Sequence, residues 1–325
     1  MGMIVTRTPF RISFAGGGSD LPSFCEREPG MVLTAAIDQY MYLAVKPRFG
    51  GTYRISYSTT EICETAGEVR HPIVRECLRL TGSARGLEIV SIADLPAGSG
   101  MGSSSSFTVG LLAALRAWRG EEAGPEQLAR EACEVEIGRL GEPIGRQDQY
   151  IAAYGGMRFL RFLPGGRVKT EAVACARSAR EELSRRLMLF FTGDSRAARE
   201  ILGRQNARAE SNREALRELC GIARSMRERL EQGADLDGFG RLLHEAWERK
   251  KTLEASISNP AVDRCYALAR DAGALGGKLL GAGGGGFLLF YCDPAKQAAV
   301  REALAGMPET RFGFEPQGAR IVYRD

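Results

Sequence analysis

The first sixty residues alternate between apolar and polar positions like a series of strands, over residues 4–8, 12–15, 32–37, 40–46 and 53–57. Gly16-Gly17-Gly18, Glu28-Pro29-Gly30 and Phe49-Gly50-Gly51 supply turn signals between several of them. The period then lengthens, and residues 72–81, 103–119 and 125–140 read as helices, each with Pro or Ser near its start. A β-branched run at 87–93 predicts another strand, and 157–162 with 168–174 reads as a hairpin around Pro164-Gly165-Gly166. The apolar strand 187–191 opens a second region. Long charged helices follow over about 195–232 and 236–255, and a final βα-like stretch holds residues 277–291, with a strand at 287–291, a helix over 294–305 and a closing strand at 320–323. No internal repeat or low-complexity segment interrupts this order.

One loop stands out within that pattern. Asp94-Leu95-Pro96-Ala97-Gly98-Ser99-Gly100-Met101-Gly102-Ser103-Ser104-Ser105-Ser106 lies between the strand at 87–93 and a helix whose Phe107, Leu111, Leu115 and Trp118 recur at helical spacing. A strand, a glycine-serine loop and a helix aim unpaired backbone N–H groups at an anion, and the helix dipole adds partial positive charge there. Glycines let the backbone approach a phosphate, and serine hydroxyls add donors or reach a magnesium ion. A flexible linker would explain the composition but not the flanking elements. The loop lacks the lysine and Ser/Thr that close a Walker A sequence, and Gly98, Gly100 and Gly102 alternate, unlike a dinucleotide fingerprint. No His-Arg-Asp or Asp-Phe-Gly occurs, which excludes the protein-kinase set.

Composition narrows the picture. At 325 residues the chain exceeds one ordinary core, so two domains are expected, divided as 1–183 and 184–325. A net charge of +4, from 44 basic and 40 acidic residues, is too mild for nucleic acid. The eight cysteines lie far apart with no C-x-x-C, which argues against a zinc cluster or a disulfide framework and fits a reducing cytoplasm. The first residues enter a strand at once, so no leader is expected, and no apolar run approaches a membrane span. With only His71 and His244, a Ser-His-Asp hydrolase or a histidine-ligated metal is disfavoured.

Candidate chemistry falls on a few further residues. Gly281-Ala282-Gly283-Gly284-Gly285-Gly286 exceeds what a turn needs and reads as a loop pressed against an active site or substrate. Glu136 and Asp148 are carboxylates that could serve a magnesium ion and an acceptor hydroxyl if the loop holds a triphosphate. Asp20 either caps a helix or binds substrate hydroxyls, and Arg11 is either an exposed strand residue or a cation facing the transferred phosphate.

These residues resemble the GHMP kinases. The middle signature P-x-x-x-G-[LM]-G-S-S is matched by Pro96, Gly100, Met101, Gly102, Ser103 and Ser104. The first resembles Pro9-Phe10-Arg11 through Gly18-Ser19-Asp20, and the last resembles residues 278–286. The resemblance implies an α+β fold of two domains, a ribosomal-S5-like N-terminal domain and a ferredoxin-like C-terminal domain. ATP would lie over the middle loop, on Pro96, Gly98, Ser99, Gly100, Met101, Gly102, Ser103, Ser104 and Ser105. Mg2+ would sit on Ser104 and Glu136, with Asp148 as the catalytic aspartate and Arg11 facing the γ-phosphate. The acceptor would meet Gly17, Gly18, Ser19, Asp20, Gly283 and Gly284.

Arg11 favours a sugar, because mevalonate-type members carry lysine there, and Gly18-Ser19 stands where galactokinases have Glu-His. Within the family, residues 14–20, 191–196, 243–251 and 257–260 are similar to the group that phosphorylates the anomeric hydroxyl of a heptose 7-phosphate in bacterial surface-sugar pathways. Such a sugar phosphate needs a second anion site, for which Lys46, Arg48, Arg196, Lys250 and Lys251 are candidates. Another sugar such as fucose, or a non-catalytic ligand sensor, are the alternatives. No nucleic-acid or membrane partner is expected, and self-association as a homodimer stays open.

Overall fold

The computed structural model describes residues 2–83, 86–193, 198–233 and 236–325. In its first part, β1 (Ile4–Ala15), α1 (Pro22–Cys25), β2 (Gly30–Pro47), β3 (Tyr53–Ser56) and β4 (Thr60–Cys63) lead into α2 (Pro72–Thr81) and β5 (Leu87–Ala93). Helices α3 (Ser103–Trp118), α4 (Pro125–Cys133) and α5 (Gln147–Tyr154) follow, then β6 (Met157–Leu163), β7 (Arg167–Ala172) and α6 (Arg177–Arg186). The second part runs through β8 (Leu187–Phe191), α7 (Ala198–Ala207), α8 (Arg213–Gln232), α9 (Leu236–Leu253), α10 (Pro260–Asp271), β9 (Ala274–Leu279), β10 (Phe287–Cys292), α11 (Gln297–Ala303) and β11 (Arg320–Arg324).

The pattern predicts two strands where β1 runs and two where β2 runs, but each span is one continuous strand. Pro9 cannot donate to a ladder, and the β1–β2 register shifts beside it, so an irregularity absorbs it without ending the strand. In β2 the polar break at Asp38-Gln39 marks a change of partner. Gly30 to Ala35 pair with β6, whereas Met41 to Pro47 pair with β5. The first sheet has eight strands along the path β11-β1-β2-β5-β3-β4, with β6 and β7 branching from β2.

β1 and β2 are buried at consecutive positions because helices cover them: α3 and α5 pack on both strands, and α8 from the second part packs on both as well. α3 is buried almost all round, with Phe107, Leu111, Leu112 and Leu115 in a core shared with Phe10, Ile12, Leu33 and Leu43. A helix so enclosed holds its first turn rigidly, which matters for the site below.

The second sheet is antiparallel in the order β8-β10-β9, backed by α9 and α10. Glu309 adds one isolated bridge to Phe190 beside β8. Within the final stretch, residues 277–291 lie in the β9–β10 hairpin around the glycine loop, followed by α11. The long helix expected over 195–232 is two helices, α7 and α8, parted at residues 208–212, and residues 195–197 of it lie outside the described residues. The sequence pattern predicts no element at α1, β4, α5, α6 or α10, all of them 12 residues or shorter. The division at 183/184 remains a proposal for where the chain passes from the first sheet to the second. β11 then returns to pair with β1 in the first sheet, far from its neighbours in sequence.

Candidate active site

A cleft opens between the two parts of the chain, where the loop before α3 meets the glycine loop after β9. The approach is close: a Cβ on Gly281 would lie 2.4 Å from the Gly100 Cα, and one on Gly286 would lie 2.4 Å from the Ser99 carbonyl oxygen. Only bare backbone fits there, which explains why both loops are so rich in glycine. Gly102 occupies the position before α3 with φ +76°, a left-handed conformation that leaves the first N–H groups of the helix uncovered. A Cβ at Gly102 would crowd Arg11 and Asp148, each 3.3 Å away.

Arg11 reaches the cleft from β1 and Asp148 from the first turn of α5. Two parallel bonds join them: Arg11 Nε donates to Asp148 Oδ1 at 2.7 Å and its Nη2 to Oδ2 at 2.7 Å. Arg11 Nη1 donates to the Gly100 carbonyl at 2.6 Å, and the Arg11 amide donates to the Met101 carbonyl at 3.1 Å. This fork fixes the guanidinium against the loop while Asp148 stays partly open to the cleft. Asp148 keeps lone pairs that could accept from a substrate hydroxyl.

Glu136 lies behind the helix start and is fully buried. It sits on a π-helical turn, Glu134–Arg139, rather than on the continuous α-helix that the sequence predicts. Ser104 donates to one carboxylate oxygen, while Ser105 at 2.9 Å and Gln149 at 2.7 Å donate to the other. Burial pushes the Glu136 carboxyl up to about 7, against the pull of those three donors. Among the described residues it has no Lys, Arg or His partner. A buried carboxylate fed only by neutral donors suits a bound cation.

At the other end of the cleft, Asp20 is buried and accepts from the amides of Gly18 at 3.0 Å and Gln147 at 3.4 Å. Burial, and then the charge of Asp148, raise its carboxyl above the usual range. Three polar atoms line this end with no hydrogen-bond partner among the described residues: Ser13 Oγ, Gln147 Oε1 and Gln205 Nε2. Gln205 comes from α7 and lies against Gly18, where an added Cβ would meet its Nε2 at 2.2 Å.

The structure therefore brings Arg11, Gly17, Gly18, Asp20, Gly98, Gly100, Gly102, Ser103, Ser104, Ser105, Asp148 and Gly283 around one cleft. Other expected contacts do not reach it. Met101 is buried in the core, and the Ser19 hydroxyl is occupied by the Gly16 carbonyl at 2.7 Å. Pro96 is exposed outside the lining, Ser99 is buried beneath the loop, and Gly284 is tied by its backbone to Ile257 and Asn259. Of the cations considered for a second anion, only Lys250 lines the cleft. Lys46 pairs with Glu88 and Lys251 with Glu248, Arg48 is remote, and Arg196 lies outside the described residues. Ser13, Gln147 and Gln205 were missed, because a single serine or glutamine leaves no local pattern to find.

A helix start with free N–H groups, a fixed arginine and an accessible carboxylate suit phosphoryl transfer to a hydroxyl. Comparison with known proteins agrees. The family models "GHMP kinases N terminal domain" and "GHMP kinases C terminal" match residues 68–156 and 223–309. The chain is 32% identical over 321 residues to the D-glycero-alpha-D-manno-heptose 7-phosphate kinase of Campylobacter jejuni, covering 94% of each chain. A crystal structure of a D-glycero-D-manno-heptose 1-phosphate kinase from Bacteriodes thetaiotaomicron superposes with a TM-score of 0.82 at 26% identity, over 99% of both chains. The bifunctional fucokinase/GDP-fucose pyrophosphorylase of Arabidopsis thaliana is 29% identical over 89% of this chain, which spans only 30% of that larger protein. The chain belongs to the GHMP kinases, a family of ATP-dependent phosphotransferases with this α+β fold.

Proposed function

We propose that the protein is an ATP- and Mg2+-dependent sugar kinase that phosphorylates the anomeric hydroxyl of D-glycero-D-manno-heptose 7-phosphate in the synthesis of bacterial surface-polysaccharide precursors. The observation that carries this reading is similarity over almost the whole chain to a heptose 7-phosphate kinase, joined to an intact Arg11–Asp148 pair in the cleft. Eight cysteines without a disulfide suit the cytoplasm, and no helix among the described residues is long and apolar enough to cross a membrane.

The chain's residues divide the work. The N–H groups at the start of α3 and the hydroxyls of Ser103 and Ser104 bind the ATP phosphates. Ser104 and Glu136 would hold Mg2+. Both are oxygen donors, the ligand type that Mg2+ takes, and Ser104 already meets the Glu136 carboxylate. Bound there, the metal supplies charge neutralisation on the phosphate oxygens. Asp148 accepts the proton of the acceptor hydroxyl as the oxygen attacks, and Arg11 keeps that carboxylate in place and faces the transferring phosphoryl group. Asp20, Ser13, Gln147 and Gln205 hold sugar hydroxyls.

A second reading, an unphosphorylated sugar such as fucose, draws on the fucokinase likeness and on the neutral polar groups of the acceptor end. ADP release across a panel of sugars and sugar phosphates, with and without Mg2+, separates the two. Turnover confined to a heptose 7-phosphate supports the first, and turnover of a free sugar at an equal rate replaces it with the second.

A further inference from the structure

Lys250 reaches the cleft from α9 and has no task in the mechanism above. Its side chain is buried, and its Nζ donates to the Gly281 carbonyl. Among the described residues, the lining contains two cations, Arg11 and Lys250. The charge of Arg11 is balanced by Asp148, whereas Lys250 forms no salt bridge among the described residues. An ammonium has three donors, and one is used here. Burying an unpaired charge is costly, so the site gains when an anion meets it.

The position of the lysine says which anion. Gly281 abuts Gly100, whose carbonyl accepts from Arg11. Lys250 and Arg11 thus brace the two touching glycine loops, one through Gly281 and the other through Gly100, beside the start of α3. Four charged groups face the amine. Arg11 on β1 and Lys278 on β9 oppose its charge, while Asp20 after β1 and Asp148 on α5 support it. Burial, with Arg11 next, holds the amine down to about 8.

We infer that Lys250 is a catalytic residue whose ammonium, fixed by the Gly281 carbonyl, bonds the phosphoryl group in transfer. The inference rests on the kinase reading. The bond from the acceptor oxygen to phosphorus forms as the bond from phosphorus to the ADP oxygen breaks, and the hydroxyl proton passes to Asp148. Lys250 keeps its own proton and stabilises the charge on the phosphoryl oxygens.

The test compares Lys250→Met and Lys250→Arg with the wild type, using MgATP and the best acceptor of the panel. The Met variant should lose about 10²–10³-fold in kcat, the scale for removing one transition-state donor. The Arg variant should recover part of that loss, and the KM for the acceptor should barely move. Wild-type kcat/KM for MgATP, which reports the free enzyme, should fall above about pH 8, while the Arg variant holds its value to higher pH. Three results overturn the proposal alone: an unchanged kcat in the Met variant, a loss confined to the acceptor KM, or the same alkaline limb in the Arg variant. If the Met variant does not fold, the two pH profiles decide. A wild type that phosphorylates no acceptor overturns the kinase reading and this proposal with it.

Discussion

The two ends of the cleft are built on opposite plans. At the start of α3 the charged groups are gripped by the protein itself: Ser104, Ser105 and Gln149 converge on Glu136, and Arg11 holds Asp148 and Gly100, although Gln149 Oε1 stays unpaired behind the helix. At the Asp20 end, Ser13, Gln147 and Gln205 each keep an atom without a partner. A buried polar atom left unpaired costs about 1–3 kcal/mol, and a ligand that pairs it recovers that cost. The first end is preorganised for a ligand that does not vary, the nucleotide with its metal. The second is completed by the acceptor, and there specificity is decided.

Asp148→Asn tests the first end most severely. It keeps size and most hydrogen bonding but removes the base, so kcat should fall by about 10²–10⁴-fold while ATP still binds. A variant that loses ATP binding but keeps its rate at saturation would make Asp148 a binding residue. Ser104→Ala or Glu136→Gln should lower Mg2+-dependent turnover by about a hundredfold, far more than either changes the folded fraction under assay conditions. Unchanged activity at saturating Mg2+ would remove that residue from the metal site.

The second end should respond differently. Gln205→Leu removes one donor to the acceptor, so kcat/KM for the sugar should fall by about 10–100-fold, with the KM for ATP unchanged. An equal loss for both substrates would mean that α7 shapes the whole cleft rather than reading the sugar.

The smallest effect concerns stability. The Glu136 carboxyl is raised in the folded state to about 7, so its contribution is fully present below the ordinary carboxylate range and is lost as pH rises through 7. Metal-free Glu136→Gln should therefore melt above the wild type at pH 8 and close to it at pH 5, with a difference of at most about 3 kcal/mol. Equal melting at pH 8 would show that the buried carboxylate is not penalised.

What could be read in advance follows the same division. The strand, loop and helix around Gly98–Ser106 are adjacent in the chain, so turn chemistry and apolar period reveal them together. Arg11 carries recognisable neighbours in Pro9-Phe10 and Asp148 is reached through the family resemblance, although their mutual bond spans 137 residues and no spacing announces it. Gln205 sits in a charged helix, where one polar residue looks like the next, and Lys250 stands out only as one of five candidate cations among which the sequence does not choose. Only the packing of α7 and α9 against the first sheet's loops turns them inward. The continuity of β1 and β2 was hidden for a related reason. Pro9 and Asp38 look like breaks locally, but the register shift and the change of partner that absorb them depend on distant strands.

The most direct measurement of the central claim is kcat/KM for D-glycero-D-manno-heptose 7-phosphate against free heptose, with the new phosphate located by NMR. Two charge-assisted hydrogen bonds to the far phosphate, at about 1.5–3 kcal/mol each, predict a preference of about 10²–10⁴-fold, with the new phosphate on the anomeric oxygen. Equal rates on the two sugars, or phosphate at any other oxygen, would contradict it.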